Sequence, residues 1–263
     1  MGDDVEVGVE ARAAGAYTTE SVNPLYRGRG GDFWERQKAL AYRKAAMAAA
    51  KAGDVQNLKE ILRKHGSELI LSPEGDGEVG PQLSLYAAAQ GHGHAAVATF
   101  LRDIATHLLV KVLQSLAIEP VQLEEVSAKD LVQRYLTAGA DLGRAPAGFG
   151  GLLPLHCLCS LHTVETTPVP PCNIEMIRRV AMVMATVAPL TLMCATPTGE
   201  LPLTLAAMNP SLVVDLVPSL SAEMGKAMLK RPRLALSEAV QRAVRLAAER
   251  SADDETQHLA ALV

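Results

Sequence analysis

The chain has 263 residues, a formal net charge of −4 and a pI near 6.0, so it carries no overall cationic field of the kind that binds nucleic acid. Hydrophobic residues make up 49% of the chain and aromatic residues only 3%, which favours closely packed helices over a β-sandwich. The length is sufficient for one large domain, two small ones or an elongated array.

Residues 1–31 are poor in bulky apolar side chains and contain six of the glycines. We expect an N-terminal arm that is flexible or that becomes ordered on binding. Its first ten residues, "MGDDVEVGVE", have no apolar stretch of the kind found in secretory signals, and the four cysteines lie mostly in apolar sequence surroundings. The predicted location is therefore cytoplasmic or nuclear.

After the arm, helical segments end repeatedly at glycine. "FWERQKALAYRKAAMAAAKAG" ends at Gly53, and "DVQNLKEILRKHG" places Val55, Leu58 and Leu62 on one helical face before Gly66. Similar segments recur at residues 83–101, 128–144, 151–161, 173–185 and 199–217, and a long helical piece, "DIATHLLVKVLQSLA", follows the second unit. Repetition at this scale predicts a stacked helical array.

Four of these segments carry a family pattern. "GLLPLHCLC" at Gly151–Cys159 and "GELPLTLAA" at Gly199–Ala207 resemble the G-x-T-P-L-H-x-A-A segment of ankyrin repeats. "AAQGH" at Ala88–His92 resembles the A-A-x-x-G-H turn of that family, and "LTAGADL" at Leu136–Leu142 resembles the ending of its repeat. The resemblance covers roughly residues 40–220, with spacings scattered around the ~33-residue ankyrin period.

The chain also departs from the ankyrin pattern. Leucine replaces threonine at Leu153 and Leu201, Thr204 replaces histidine, and Pro210 stands in place of the turn glycine. The resemblance implies an all-α fold, an ankyrin-type helical solenoid of about five irregular repeats with capping helices. The expected division is an arm at residues 1–31, an array at 32–220 and C-terminal capping helices at 221–263.

Residues with a structural role in the repeats follow from turn chemistry and from the resemblance. Proline fits the first turn of a helix, where its missing N–H would be unpaired anyway, and glycine fits turns that need a positive φ. The resemblance implies that the histidine hydrogen-bonds between loop and helix backbone and orients one repeat on the next. The predicted set is Gly53, Gly91, Gly139, Pro154, His156 and Pro202; in the Gly-His-Gly-His segment, either glycine could form the turn.

For function, the ankyrin resemblance implies a non-catalytic scaffold or adaptor that holds another protein against a concave surface. The candidate partner-binding residues are the expected exposed positions near the start of each unit: Gln82, Gln90, His92, His94, Arg144, Phe149, His162, Glu200, Met208 and Asn209. Phe149 and Met208 offer the most contact area, and the alternative for each residue is packing against a neighbouring repeat. A second alternative is a structural subunit anchored in a larger assembly by its arm.

The stretch "GFGGLLPLHCLCSLH" brings His156, Cys157, Cys159 and His162 together in sequence. At about 100° per residue, His156 and His162 diverge by about 120° on a helix, and Cys157 and Cys159 do not have the C-x2-C spacing of a structural zinc site. No other catalytic or phosphate-binding motif occurs. We therefore predict no catalytic residue, cofactor or metal, and we keep a thiol- or metal-dependent enzyme centred on His156 and Cys159 as the alternative.

Two further segments bear on partners. Residues 180–199 are uncharged, but Pro189 lies in their middle, so we expect a buried helix and a loop and not a membrane span. The segment "KAMLKRPRLALSEAVQRAVRLAAER" at 226–250 is basic and amphipathic. It is expected to cap the last repeat, or to dock on an acidic partner or a membrane surface.

Overall fold

The structure, a computed structural model, describes residues 33–71, 83–116, 127–161, 171–209, 212–230, 241–242 and 244–245. Within these ranges the chain forms α-helices and short 3₁₀ helices and has no β-strand, which confirms the all-α prediction for the part described. No helix in these ranges is both long and apolar enough to cross a bilayer. The predicted arm and nearly all of the expected C-terminal amphipathic segment beyond residue 230 lie outside the described residues.

Nine α-helices are present in the described ranges: α1 Phe33–Ala52, α2 Val55–His65, α3 Leu85–Gly91, α4 Ala95–Ser115, α5 Ala128–Thr137, α6 Pro154–Cys159, α7 Pro171–Val187, α8 Pro202–Met208 and α9 Val213–Lys230. Short 3₁₀ helices follow α2, at Ser67–Ile70, and α7, at Pro189–Met193. The uncharged run at 180–199 is therefore the end of α7, a 3₁₀ helix and a loop.

The helices pack on one another in chain order. The first helix packs on α2 and α3, α3 packs on α4, and α4 packs on both α5 and α6. Beyond that point α5 packs on α7 and α7 on α9, while α6 packs on α8 and α8 on α9. The second half thus has two rows of helices, and α4 contacts both rows. At 21 residues, or about 32 Å, α4 is long enough to do so.

The long helix α4 joins two segments that were predicted to be separate helices. The second helix of unit two and the inserted piece "DIATHLLVKVLQSLA" form one continuous helix, because no glycine or proline interrupts residues 95–115. One face of it is fully buried, with Val97, Leu101, Ala105, Leu109 and Leu113 all at 0% exposure. Their spacing of four residues places them on the side that packs into the core.

Side-chain caps and glycine turns set the helix ends. Asp54 accepts a hydrogen bond from the Asn57 N–H at the start of α2, and Ser84 does the same for Ala87 at the start of α3. Gly53 has a φ of +76°, in the left-handed region that glycine enters without strain.

The expected turn glycine at Gly91 needs correction. Gly91 is the last residue of α3, and Gly93, with a φ of +75°, makes the turn before α4. Of the two Gly-His copies in "GHGH", the second therefore forms the turn, because only its glycine has the positive φ that a side chain would strain.

Candidate partner-binding surface

His156 lies in α6 and connects two consecutive loop regions. The backbone N–H of Leu153 donates to its Nδ1 at 3.1 Å, and its Nε2 lies 2.9 Å from the carbonyl oxygen of Cys194. Since Nδ1 accepts, the neutral ring carries its proton on Nε2 and donates it to that carbonyl. The ring thus fixes the start of α6 and joins it to the loop before α8.

Because His156 is buried, its two hydrogen bonds require the neutral form of the imidazole ring. His156 is 1% exposed, and desolvation lowers its pKa below 6.5, partly opposed by the bond to Cys194. A proton added at Nδ1 would turn that nitrogen into a donor facing the N–H of Leu153, and the hydrogen bond between them would be lost. The side chain is therefore occupied in structure, and both of its nitrogens are engaged within the protein.

The thiols beside His156 lie in surroundings that disfavour the thiolate form. Cys157 and Cys159 are buried, and burial raises the pKa of Cys157 to about 11 and that of Cys159 further still. Nucleophilic and metal-ligating cysteines act as thiolates, which these surroundings disfavour. Within the described ranges no group of three or more His, Cys, Asp or Glu side chains is placed to hold a metal. His162 lies outside those ranges.

Two loops that precede helices lie side by side. A Cβ atom on Gly151, which stands just before α6, would come within 2.7 Å of Cγ of Pro197, in the loop before α8. The first loop holds Arg144, which is exposed and pairs with Asp103 of α4 at 3.1 Å. Phe149 in the same loop is half-buried and makes an edge-to-face contact with His107. The two loop tips are thus in contact at Gly151 and Pro197.

A second surface surrounds Tyr86 on α3. The Gln90 side-chain amide donates to the Tyr86 hydroxyl at 2.7 Å, and Arg102 of α4 donates to the same oxygen at 3.0 Å. A hydroxyl oxygen has two lone pairs, and both are used here. Its proton is therefore available to an acceptor outside this network, while the Arg102 guanidinium lies 5.8 Å from the Tyr86 ring centroid and holds the ring in place.

The Tyr86 surface is a shallow pocket of about 370 Å³ where several helical units meet. Gly139, at a φ of +103°, brings the turn after α5 so close that a Cβ there would lie 2.5 Å from the ring. Asp141 of that turn and Val187 at the end of α7 complete the pocket wall. Val187 is 52% exposed, so the pocket combines a hydroxyl donor, a guanidinium, a carboxylate and an open apolar edge.

The predicted partner-binding residues fall into different environments. Gln90 and His92 are exposed, and Met208 is 52% exposed. His94 is half-buried, and its Nε2 lies 2.8 Å from the Lys51 carbonyl oxygen, so it connects the first two helix pairs. Glu200 is half-buried and accepts from the Thr198 hydroxyl within its own loop. Gln82 lies outside the described residues.

Asn209 contradicts the expectation of exposure. It is 3% exposed, and its side-chain amide donates to the carbonyl oxygen of Leu161 at 2.9 Å. The structure thus uses it to join the end of α8 to the end of α6. Asn173 of α7 makes a similar bond, at 2.7 Å, to the carbonyl of Leu116 at the end of α4. A short amide can satisfy a buried helix-end carbonyl that would otherwise lack a donor.

Sequence reasoning did not single out Tyr86, Arg102, Asp141 or Val187. Tyr86 and Gln90 are four residues apart, which places them together on one face of α3, and this spacing was available from the sequence. The approach of the α5 turn and the end of α7 was not, because it depends on how separate units stack.

No protein-family model matches the chain, and neither a curated protein nor a solved structure is significantly similar to it.

Proposed function

We propose that this chain is a non-catalytic scaffold or adaptor that binds another protein, built as an irregular ankyrin-like stack. The packing of helices in chain order supports a stacked arrangement, in which each unit buries its apolar side against the next. The loop tips before α6 and α8 lie side by side, as do successive loops in such a stack.

The described helices fit five units of unequal completeness. Four are helix pairs, namely α1 with α2, α3 with α4, α6 with α7 and α8 with α9, and α5 alone represents the third unit. Within the described residues no first helix precedes α5, and the long α4 substitutes for one by packing on both α5 and α6. This substitution accounts for the irregular spacing of the repeat pattern.

The binding surface is limited to part of this stack. Every residue of α6 is buried, and Met208 is the one exposed residue of α8. A partner therefore has little access to these two helices, whereas α3 exposes Ala87 and Gln90 beside the Tyr86 pocket. The favoured contact area is the Tyr86 pocket together with the loop tips at 143–151 and 195–200.

The observation that carries this assignment is the Tyr86 hydroxyl. Two donors from different helices saturate its lone pairs, which orients its proton away from both of them. A backbone carbonyl or carboxylate of a partner satisfies that proton, and an apolar partner side chain covers Val187. Tyrosine anchors flanked by arginine and apolar area are typical of residues that dominate binding energy at protein interfaces.

The test uses the full chain and a Tyr86→Phe variant as baits, and mass spectrometry quantifies the partner protein that each bait captures. This change removes one hydroxyl and keeps the ring, so we expect retention of the fold and a loss of captured partner of about tenfold. Tyr42→Phe is the matched control, because Tyr42 stacks on His65 at 3.4 Å, away from the pocket.

Two outcomes would contradict the proposal. Unchanged capture by Tyr86→Phe would remove the pocket from the binding surface. Loss of every partner from a chain lacking residues 1–31, with its helical content intact by circular dichroism, would instead favour a subunit anchored by its arm.

A further inference from the structure

A groove next to the loop tip at 143–151 lies between α2, the 3₁₀ helix after it, and α4. It has a volume of about 800 Å³ and is also lined by the loop after α5. Its apolar lining comes from three separate segments and consists of Leu62, Leu71, Phe100, Ile104, Leu108 and Val112. The groove shares no residue with the Tyr86 pocket, so it requires an explanation of its own.

The sequence of α4 gives this helix a second apolar face. Phe100, Ile104, Leu108 and Val112 recur every four residues, next to the fully buried face, yet each remains partly exposed. An apolar face of a helix is normally covered by a neighbouring element. Here α2 leaves part of the second face uncovered, and the uncovered part is the groove.

Positive charge surrounds this apolar lining. Lys59, Arg63, Lys111 and Arg144 line the groove, against two carboxylates, Glu68 and Asp103. Arg144 already pairs with Asp103 and Arg63 with Glu60, so the groove carries a small positive excess, in contrast with the net charge of −4 of the whole chain. An occupant that combines carboxylates with small apolar side chains would match both the lining and its charge.

We propose that residues 3–10 of this chain, "DDVEVGVE", occupy the groove. The segment carries four carboxylates, from two aspartates and two glutamates, interleaved with Val5, Val7 and Val9. The valines cover the partly exposed face of α4, and the carboxylates lie toward the lysines and arginines. The function proposed above rests on the Tyr86 pocket, which shares no residue with the groove, and so does not depend on this contact.

The chain length permits the contact. His65 of the groove stacks on Tyr42 of α1, and Tyr42 is nine residues, or about 14 Å, along the helix from Phe33. Residue 10 is 23 residues before Phe33, so the intervening chain can span up to about 75 Å. A tether of this kind keeps the segment at a local concentration on the order of millimolar, at which weak contacts suffice.

The experiment places a photo-reactive benzophenone amino acid at position 7 of the full chain, in place of Val7, and maps the cross-links by mass spectrometry. The matched control carries the same group at Val22, in the same arm but outside the acidic segment. We expect position 7 to cross-link within one molecule to residues of α2 and α4, independently of protein concentration, and position 22 not to do so.

Charge reversal in the groove sharpens this test. Lys59→Glu with Arg63→Glu alters two exposed side chains, so the fold is retained, and we expect the cross-linking yield from position 7 to fall about fivefold. Lys129→Glu, at an exposed lysine of α5 outside the groove, is the control.

Three results would overturn the proposal. They are cross-links from position 7 that avoid the groove, cross-links that form only between two molecules and so indicate a second copy, and a yield that is insensitive to the charge reversal.

Discussion

Two histidines of this chain form the same kind of bond in two different regions. His94, between α3 and α4, reaches the Lys51 carbonyl of the first helix pair at 2.8 Å, and His156 in α6 reaches the Cys194 carbonyl before α8 at 2.9 Å. His94 is half-buried and bonds to one backbone group, whereas His156 is buried and engages two.

The difference shows that histidine joins helical units more weakly at His94 than at His156. Water can replace part of a lost bond at His94, but the backbone groups around His156 would remain desolvated and unpaired. Asn209 adds a buried bond between the ends of α8 and α6, and Asn173 adds one between α7 and the end of α4, so the units from α4 onward are joined by side-chain amides and an imidazole. The first two helix pairs are joined at a more accessible point.

The largest expected effect comes from His156→Ala. It removes two buried hydrogen bonds and leaves a cavity, so we expect the free energy of unfolding to fall by about 3 kcal/mol, against about 1 kcal/mol for His94→Ala. Urea denaturation followed by circular dichroism measures both. The exposed His92→Ala is the control, with a change within about 0.5 kcal/mol. Equal losses at His94 and His156 would contradict the comparison.

Asn209→Ala tests the second buried connection. The change leaves the Leu161 carbonyl without this donor, and we expect a loss of about 2 kcal/mol of unfolding free energy with no change in partner capture per folded molecule. Asn57→Ala, at an exposed position of α2, provides the comparison in the same denaturation assay. If Asn209→Ala abolished capture while stability stayed unchanged, the residue would act at the surface after all.

Gly53→Ala tests the connection in the first region. Its Cβ would lie 2.6 Å from Nδ1 of His94, whereas a Cβ on Gly93 would meet nothing within 4 Å at nearly the same φ. Both variants incur backbone strain of about 1 kcal/mol, and Gly53→Ala should lose about 1 kcal/mol more because the ring must move from Lys51. Thermal unfolding compares the two, and equal losses would show that His94 contributes nothing there.

The smallest effect is the dependence on pH. Burial lowers the pKa of His156 and that of His107 below 6.5, so the folded chain binds fewer protons than the unfolded chain. The contribution of these two histidines to the free energy of unfolding is then fully present above about pH 6.5, and it is lost as the pH falls through their folded pKa values. We expect His156→Gln and His107→Gln each to flatten the decline, measured by urea unfolding between pH 7.5 and 5. A decline unaffected by both substitutions would assign it to other groups.

The all-helical class could be predicted because it depends on local signals. Glycine endings at Gly53 and Gly66, and prolines at the first turns of α6 and α8, are properties of short segments and needed no tertiary information. The continuity of α4 was also readable from the absence of any breaker in residues 95–115, but the family pattern favoured a shorter helix.

The environments of particular side chains could not be predicted in the same way. Asn209 follows a helix and is polar, so its sequence context suggests exposure, and its burial depends on where α6 ends in space. The Tyr86 pocket likewise requires the α5 turn and the end of α7 to lie against α3. Such features arise from the stacking of units and have no signature within one segment.

The most direct test of the stacked arrangement is amide hydrogen exchange, measured by mass spectrometry on the native chain and on His156→Ala. If each unit depends on its neighbours, protection should fall in α6, in the loop before α8 and in α8, and should be unchanged in α1, α2 and α3. An equal loss of protection from α1 to α9 would contradict the account. It would show that the helices unfold together as one cooperative unit and not as a stack of units that each depend on their neighbours.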